Sequence, residues 1–451
     1  MKSLLIASIF TLCLFVEAPI FAQDSTGSPK IEWTGLAALE EGQFIKCQYI
    51  GDNGAPMPFR PWLTDEYARL GIRAVVNRHF SFSIIPEVKL WDDTWDWAQN
   101  GSLGSNPFNQ HATVSLADAE GTVGFGDRDA FALNISSGVI PYKYDAEAKN
   151  LGEYLFRTGV HTPYIQTSFD QAYATLTGVR LNVEMLKNLS ADIFLTTETQ
   201  VQPIGDWSLS FLLGYQVPGY MDIGAGIMFD RLIQVARNLD HPLDLSNYYK
   251  TSTGQTDTFS FGGTKAMARL AFDPKGFLPS NLSEIFGKED GKIYGEAAIL
   301  GLNSITAYKD STNPNNGQPV PGHEVIDSSL NFYSDIWQRI PVMFGFNIPA
   351  FKLLDYLSVE LEWYGWPYAS NYYYLDGFYW NLPLPKGASG SSAWKYSFNL
   401  RKTMWNHISI IGQIARDHTR HDVYYNGQAD VYEIFQTKDE WGWWLKLQYN
   451  F

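Results

Sequence analysis

Glu440-Trp441-Gly442-Trp443-Trp444-Leu445-Lys446-Leu447-Gln448-Tyr449-Asn450-Phe451 is the last stretch of the sequence, and its reading decides the fold. Trp441, Trp443, Leu445, Leu447, Tyr449 and Phe451 are large and apolar, whereas the alternate positions Gly442, Trp444, Lys446, Gln448 and Asn450 are mostly polar. Successive side chains of a strand point to opposite faces, so the stretch predicts a strand with one greasy and one wet face. An edge strand of a soluble sheet carrying alternate Trp and Leu would invite aggregation. A strand whose apolar face meets lipid carries no such hazard.

The same alternation recurs upstream. Trp207, Leu209, Phe211, Leu213, Tyr215 and Val217 alternate with Ser208, Ser210, Gly214 and Gln216. After Pro218-Gly219 the pattern returns, with Met221, Ile223, Ala225, Ile227 and Phe229 set against Asp222, Gly224, Gly226 and Asp230. Segments of this kind, from a weak first one at Ile31 to Ala38 to the terminal one, number roughly 16, with a range of about 14 to 18. Their connections alternate between short, as at Asn77, Asp127, Lys187, Pro218, Pro349 and Met404, and long, as over residues 141–169 and 367–392. Two exceptions break the series, a short turn near Pro203-Ile204-Gly205-Asp206 and a longer link from Pro274 to Gly291. Repeated dyads with short turns on one side and long loops on the other predict an all-β chain, a transmembrane antiparallel β-barrel.

Composition agrees. The chain is 15% aromatic and only 18% charged, and beyond its first residues no apolar run is long enough for a spanning helix. Met1-Lys2-Ser3, the apolar run Leu4 to Val16 and Ile20-Phe21-Ala22 predict a secretory signal peptide over residues 1–22. Residues 23–451 then form a single barrel domain with one thiol, Cys47, and no internal disulfide. A formal net charge of −15 argues against nucleic acid as a partner.

The closing pattern resembles the last strand of bacterial outer-membrane β-barrels. That resemblance implies an assembly signal at Leu447, Tyr449 and Phe451, read by the barrel-assembly machinery, and an outer-membrane location among its lipids. The architecture as a whole resembles porins. The resemblance implies passive diffusion of small hydrophilic solutes, no enzymatic activity, no cofactor, and a homotrimer as the candidate assembly. With cleavage after Ala22, no plug domain is expected ahead of the barrel.

The face opposite the apolar one reads as polar and charged. Candidate pore-lining residues are Arg69, Arg73, Glu87, Lys89, Asp118, Glu120, Arg180, Glu184, Asp222, Asp230, Glu360, Glu362, Lys395 and Arg401. Burying so many ionised groups without water would cost several kcal/mol each, so a wet lumen is expected. In porins the third long loop folds inward. By that likeness Lys143, Asp145, Glu147, Glu153 and Arg157 form a constriction loop, whose acids would face Arg69, Arg73 and Arg180. A solvated surface loop is the alternative.

Aromatic clusters open a second functional reading. Tyr372, Tyr373, Tyr374 and Trp380 could stack on sugar rings, which would make the barrel one for surface glycan binding or for saccharide uptake or export. Trp and Tyr girdles at a membrane interface explain residues such as Trp91 and Trp363 without any sugar. His418 and His421 are spaced as His-x-x-His, but beside Arg416 and Arg420 they make a poor cation site, and no metal is expected. Glu360 and Glu362 share one face and read as pore lining rather than as an acid–base pair. Ser409 beside His407 lies in no hydrolase motif, and no nucleotide-binding glycine loop occurs.

Overall fold

The computed structural model describes residues 29–46, 62–77, 79–93, 111–127, 131–157, 174–185, 188–197, 199, 205–235, 248–250, 256–258, 263–302, 308–312, 319–326, 337, 340–364, 372–375, 378–383, 394–418, 424–425, 428–429, 435 and 439–451. Residues 1–22, where a signal peptide is expected, Cys47 and His421 lie outside them.

Sixteen antiparallel strands close into one barrel. In chain order they are β1 (Lys30–Lys46), β2 (Trp62–Asn77), β3 (Phe80–Asp93), β4 (His111–Asp127), β5 (Phe131–Tyr142), β6 (Ala174–Met185), β7 (Leu189–Thr197) and β8 (Trp207–Val217). They continue as β9 (Met221–Ile233), β10 (Gly263–Phe272), β11 (Ile293–Ile299), β12 (Pro341–Asn347), β13 (Tyr356–Tyr364), β14 (Trp394–Met404), β15 (Ile408–Arg416) and β16 (Trp441–Asn450). Each strand pairs with its predecessor, and β16 returns to β1 in the register Glu40↔Lys446. Closure leaves no free sheet edge, which is how an all-β chain avoids edge-to-edge association.

Alternation sets the two faces. On β16, Leu445 is 50% and Leu447 41% exposed on the outside, while Lys446 between them is fully buried on the inside. Lys446 meets Glu40 at 3.1 Å and the Tyr67 hydroxyl at 3.0 Å there. Phe211, Leu213 and Tyr215 on β8 likewise point out, and Ser208 and Ser210 point in. The first strand is far longer than the Ile31 to Ala38 segment that alternation suggests. Residues 39–46 carry Glu40, Glu41 and Gln43, so apolar counting misses them, yet they pair with β2 and β16 along their length.

Two local devices shape the barrel. Pro86 sits at a bulge in the β3–β4 pairing, where a residue without an N–H costs no ladder bond. Gly35 faces the terminal ring: a Cβ there would lie 2.0 Å from Phe451. The two residues exchange both backbone hydrogen bonds at 3.1 Å, tying the last residue to the first strand.

The interior is not uniformly polar. Trp444 turns inward and packs edge-on against Phe44 and Phe435, in a cluster completed by Ile411 and Ala415. A larger apolar cluster fills part of the bore further round, built from residues 142–156 and the inner faces of β5 to β12. Apolar side chains therefore occupy part of a bore that reads from the sequence as polar.

Candidate functional site

Residues 143–157, which follow β5, do not stay outside. They touch inner-face side chains of β10, β11, β13 and β14 at once, which only a segment running inside the barrel can do. Tyr144, Leu151, Tyr154, Leu155 and Phe156 bury themselves against Phe194, Leu212, Met228, Met267 and Met343 of the wall. Apolar burial therefore seats the segment, and polar contacts fix its register.

Two wall carboxylates do most of that fixing. Glu360 on β13 accepts the backbone N–H groups of Lys149, Asn150 and Leu151, the latter two at 2.8 Å, and the Tyr294 hydroxyl at 2.9 Å. A carboxylate offers about four acceptor sites, so Glu360 is saturated. Glu296 on β11 accepts the N–H of Glu153 at 2.7 Å, the N–H of Tyr154 at 3.0 Å and the Tyr144 hydroxyl. Charge-assisted bonds of this kind offset the cost of removing a carboxylate from water.

The backbone bends to present those donors. Gly152 and Glu153 take φ values of 87° and 61°, two successive left-handed residues at the point where the N–H groups of Glu153 and Tyr154 turn to Glu296. A side chain at Gly152 would come within 2.7 Å of Met343 and 3.1 Å of Glu296. Glu153 is a non-glycine residue in a strained conformation, held by its own carboxylate, which accepts the N–H groups of Tyr144 and Asp145. Burial pushes the Glu153 carboxyl well above the usual range, and the charge of neighbouring Glu296 adds to the effect.

Further bonds complete the seat. Asn150 donates to Ser397 at 3.0 Å and to Asp417 at 2.6 Å, Tyr154 donates to Glu362 at 2.8 Å, and Lys265 reaches the Leu155 carbonyl at 2.9 Å. The tip extends to the opposite end of the barrel. There Lys292 holds Glu147 at 2.7 Å and Glu289 at 2.9 Å, and Lys149 lies 3.5 Å from Glu289. Burial opposes ionisation of Glu289, but Lys149 and the bonds from Glu147 and Lys292 outweigh it and hold the carboxyl at about 2.

The structure seats residues 143–157 inside the barrel, on partners other than the expected ones. Asp145, Glu147 and Glu153 do not pair with Arg69, Arg73 and Arg180. Asp145 and Glu153 are buried within the segment, and Glu147 goes to Lys292. Arg180 lies against Tyr142 and Phe194 of the apolar cluster but is already taken by Asp192, while the segment's polar groups are held by wall residues of β10 to β14. Arg69 instead pairs with Glu87 at 2.6 Å across β2 and β3, Arg73 lies 3.9 Å from Asp118, and Arg180 meets Asp192 at 2.8 Å. Lys143 bonds the Ala148 carbonyl inside the segment. The Arg157 side chain lies outside the described residues.

The remaining candidates divide between walls. Lys89, Asp118 and Glu120 sit inward on β3 and β4. Asp222 pairs with Arg269 at 3.1 Å, Asp230 accepts from Ser208 at 3.1 Å, and Glu184 is half-buried on β6. Lys395 donates to the carbonyls of Asp417 and Phe435, and Arg401 reaches Ser409 at 3.2 Å. His418 turns into the barrel, where its Nε2 bonds Glu362. Tyr372, Tyr373, Tyr374 and Trp380 fall on a hairpin of residues 372–375 and 378–383, but their side chains lie outside the described residues. Among the described residues no group of three potential metal ligands converges.

Glu296, Asp192, Arg269, Lys265 and Asn150 were not singled out from sequence. Alternation marks Glu296 as inward on Ile293–Ile299, but nothing local shows that it serves a backbone 143 residues away.

No protein-family model matches the chain, and no curated protein sequence matches it. Among solved structures, it is similar to Pseudomonas putida OprB at high pH, with 10% identity, a TM-score of 0.49, and coverage of 93% of this chain and 94% of that one. Salmonella typhi OmpF in complex with daunomycin gives 10% identity and a TM-score of 0.47, over 94% of this chain and 98% of that one. A mutant of the Rhodopseudomonas blastica porin gives 8% and 0.42, over 94% and 100%.

Proposed function

We propose that this chain is an outer-membrane porin-like channel for passive diffusion of small hydrophilic solutes. One observation carries the reading: a segment fastened inside the barrel along one wall, facing a second wall whose ion pairs keep contact with water. Arg73 retains 60% of its side-chain exposure. A bore bordered by fixed charges of both signs suits polar solutes and selects among them by charge and size. An outer surface of alternating Leu, Ile, Phe and Trp matches the hydrocarbon layer.

In this reading residues 1–22 direct export and are removed, and Leu447, Tyr449 and Phe451 are recognised during barrel assembly. The mature chain reconstituted in liposomes should admit small sugars and amino acids at rates that fall with solute size. Liposomes that swell no faster than empty ones, whatever the solute, would remove the channel reading. Deletion of Phe451 should slow assembly into the envelope more than it lowers the stability of barrel already formed.

A further inference from the structure

The short-connection end of the barrel carries one exception, residues 273–292 between β10 and β11. Porin-type barrels turn there in a few residues. This chain instead builds a 3₁₀ turn at Pro274–Phe277 and a helical turn at Ser280–Ser283. The link is tied down from beneath. Asp273 caps the first turn by accepting the Lys275 N–H at 3.0 Å, and Asp290 accepts the N–H groups of Gly287, Ala350 and Phe351 at 2.7, 3.0 and 2.8 Å. Gly276 packs so tightly on the β8–β9 turn that a Cβ would meet the Gly219 carbonyl at 2.4 Å.

With its underside fixed, the link holds apolar side chains outward. Phe277 is 68%, Leu282 45% and Ile285 51% exposed. A rigid apolar patch of this kind on a folded chain marks a contact surface. Its position indicates what it meets. Phe277 packs edge-on against Tyr220 at 4.9 Å and lies 5.8 Å from Phe272, the last outer-face residue of β10. Phe272 adjoins Met221 and Ile293, beside the exposed Leu270 and Ile223 of the apolar outer surface. At the other side Phe286 stacks on Phe351 at 5.5 Å, carrying the patch round to the β12–β13 turn. The patch is therefore continuous with the outer apolar belt and prolongs it beyond the strand ends. Lys288 beside it is exposed, and Lys402 points outward at the same rim.

We infer that residues 273–292 form an interfacial anchor that lies in the headgroup layer of the inner leaflet, with Phe277, Leu282 and Ile285 entering the acyl boundary and Lys288 and Lys402 meeting lipid phosphates. Apolar side chains on one face with cations beside them are how a short segment lies on a bilayer rather than across it. The anchor pins the barrel's depth on the β9–β13 side. This inference rests on the membrane reading above.

The test labels single cysteines of the mature chain with an environment-sensitive fluorophore, after Cys47→Ser, in vesicles of phosphatidylethanolamine and phosphatidylglycerol doped with headgroup- or chain-nitroxide lipid. Leu282→Cys reports the link, Leu213→Cys the outer belt, and His79→Cys an exposed turn on the opposite side of the rim. All three side chains are on the surface, so the variants fold. The expected result is blue-shifted emission at Leu282 with stronger quenching by headgroup than by chain nitroxide, chain quenching at Leu213, and weak quenching at His79. Quenching at Leu213 with a water-like, unquenched Leu282 overturns the anchor and leaves the barrel in its membrane. Loss of quenching at both sinks the membrane reading and the anchor together. Blue-shifted emission at Leu282 that disappears when protein is diluted at constant lipid assigns the patch to a second copy of the chain and also overturns the anchor.

Discussion

The two inner walls of this barrel are built from the same alternating strands, yet they treat charge in opposite ways. On the covered wall, Lys265, Glu296, Glu360, Glu362 and Lys446 are sealed from water, and each charge meets donors or acceptors within the protein. On the open wall, Arg69 and Arg73 pair with Glu87 and Asp118 across neighbouring strands while keeping some solvent. The 143–157 segment seals the charges on β10, β11 and β13, while Lys446 on β16 is sealed away from it, against Glu40 and Tyr67. A buried charge stripped of its partner is strongly destabilising, whereas an exposed pair contributes little to stability and shapes the local potential. The same type of substitution should therefore be a structural event on one wall and a selectivity event on the other.

The sharpest contrast comes from Glu360→Ala. It leaves three backbone N–H groups without their acceptor and the Tyr294 hydroxyl with Ser358 alone. At roughly 1–3 kcal/mol for each buried donor, several kcal/mol are lost from the seat. Single-channel conductance should rise and trypsin should gain access to Lys149, while the barrel itself stays closed. A variant with unchanged conductance and intact protease resistance would show that apolar packing alone holds the segment. Lys446→Ala tests the same wall away from the segment. It leaves Glu40 buried beside Tyr67, and a loss of about 3–5 kcal/mol is expected in denaturant unfolding, with ion selectivity little altered.

On the open wall the effect moves from stability to permeation. Arg73→Glu alters a group mostly in water, so unfolding should change by no more than about 0.5 kcal/mol. The zero-current potential under a salt gradient should shift toward cation preference. If the stability loss matches that of Lys446→Ala, the distinction between the walls fails.

Much of this arrangement is readable from the chain, and the unreadable part has a physical reason. Alternation at Trp207–Val217 and at Trp441–Asn450 places strands and faces correctly, because a period of two is a local property. The inward course of residues 143–157 is legible only through likeness to porins. The choice of wall depends on Phe194, Leu212, Met228 and Met267, whose inward positions alternation gives but whose joint cluster it does not. Glu296 and Glu360 look like pore lining because a carboxylate on a wet face is ordinarily solvated. That they grip a distant backbone follows only once the segment is in place.

The smallest effect concerns pH, and it probes whether the covered wall depends on protonation at the segment itself. Glu153 is pushed upward by burial and then by Glu296, from an ordinary value of 4.5. A carboxyl whose folded-state pKa is raised favours the seated form at low pH, and that contribution is lost as pH rises through the folded value. Glu289 works in the other sense: held at about 2, it supports the seat above the ordinary value and loses that support only as pH falls toward 2. Once Glu289 is ionised, the segment should loosen as pH climbs through the raised Glu153 value. Conductance fluctuations recorded from pH 5 upward should grow in the wild type. Glu153→Gln, which cannot ionise, should flatten that rise while Arg73→Glu leaves its shape untouched. Equal growth in wild type and Glu153→Gln would mean that the alkaline response arises elsewhere.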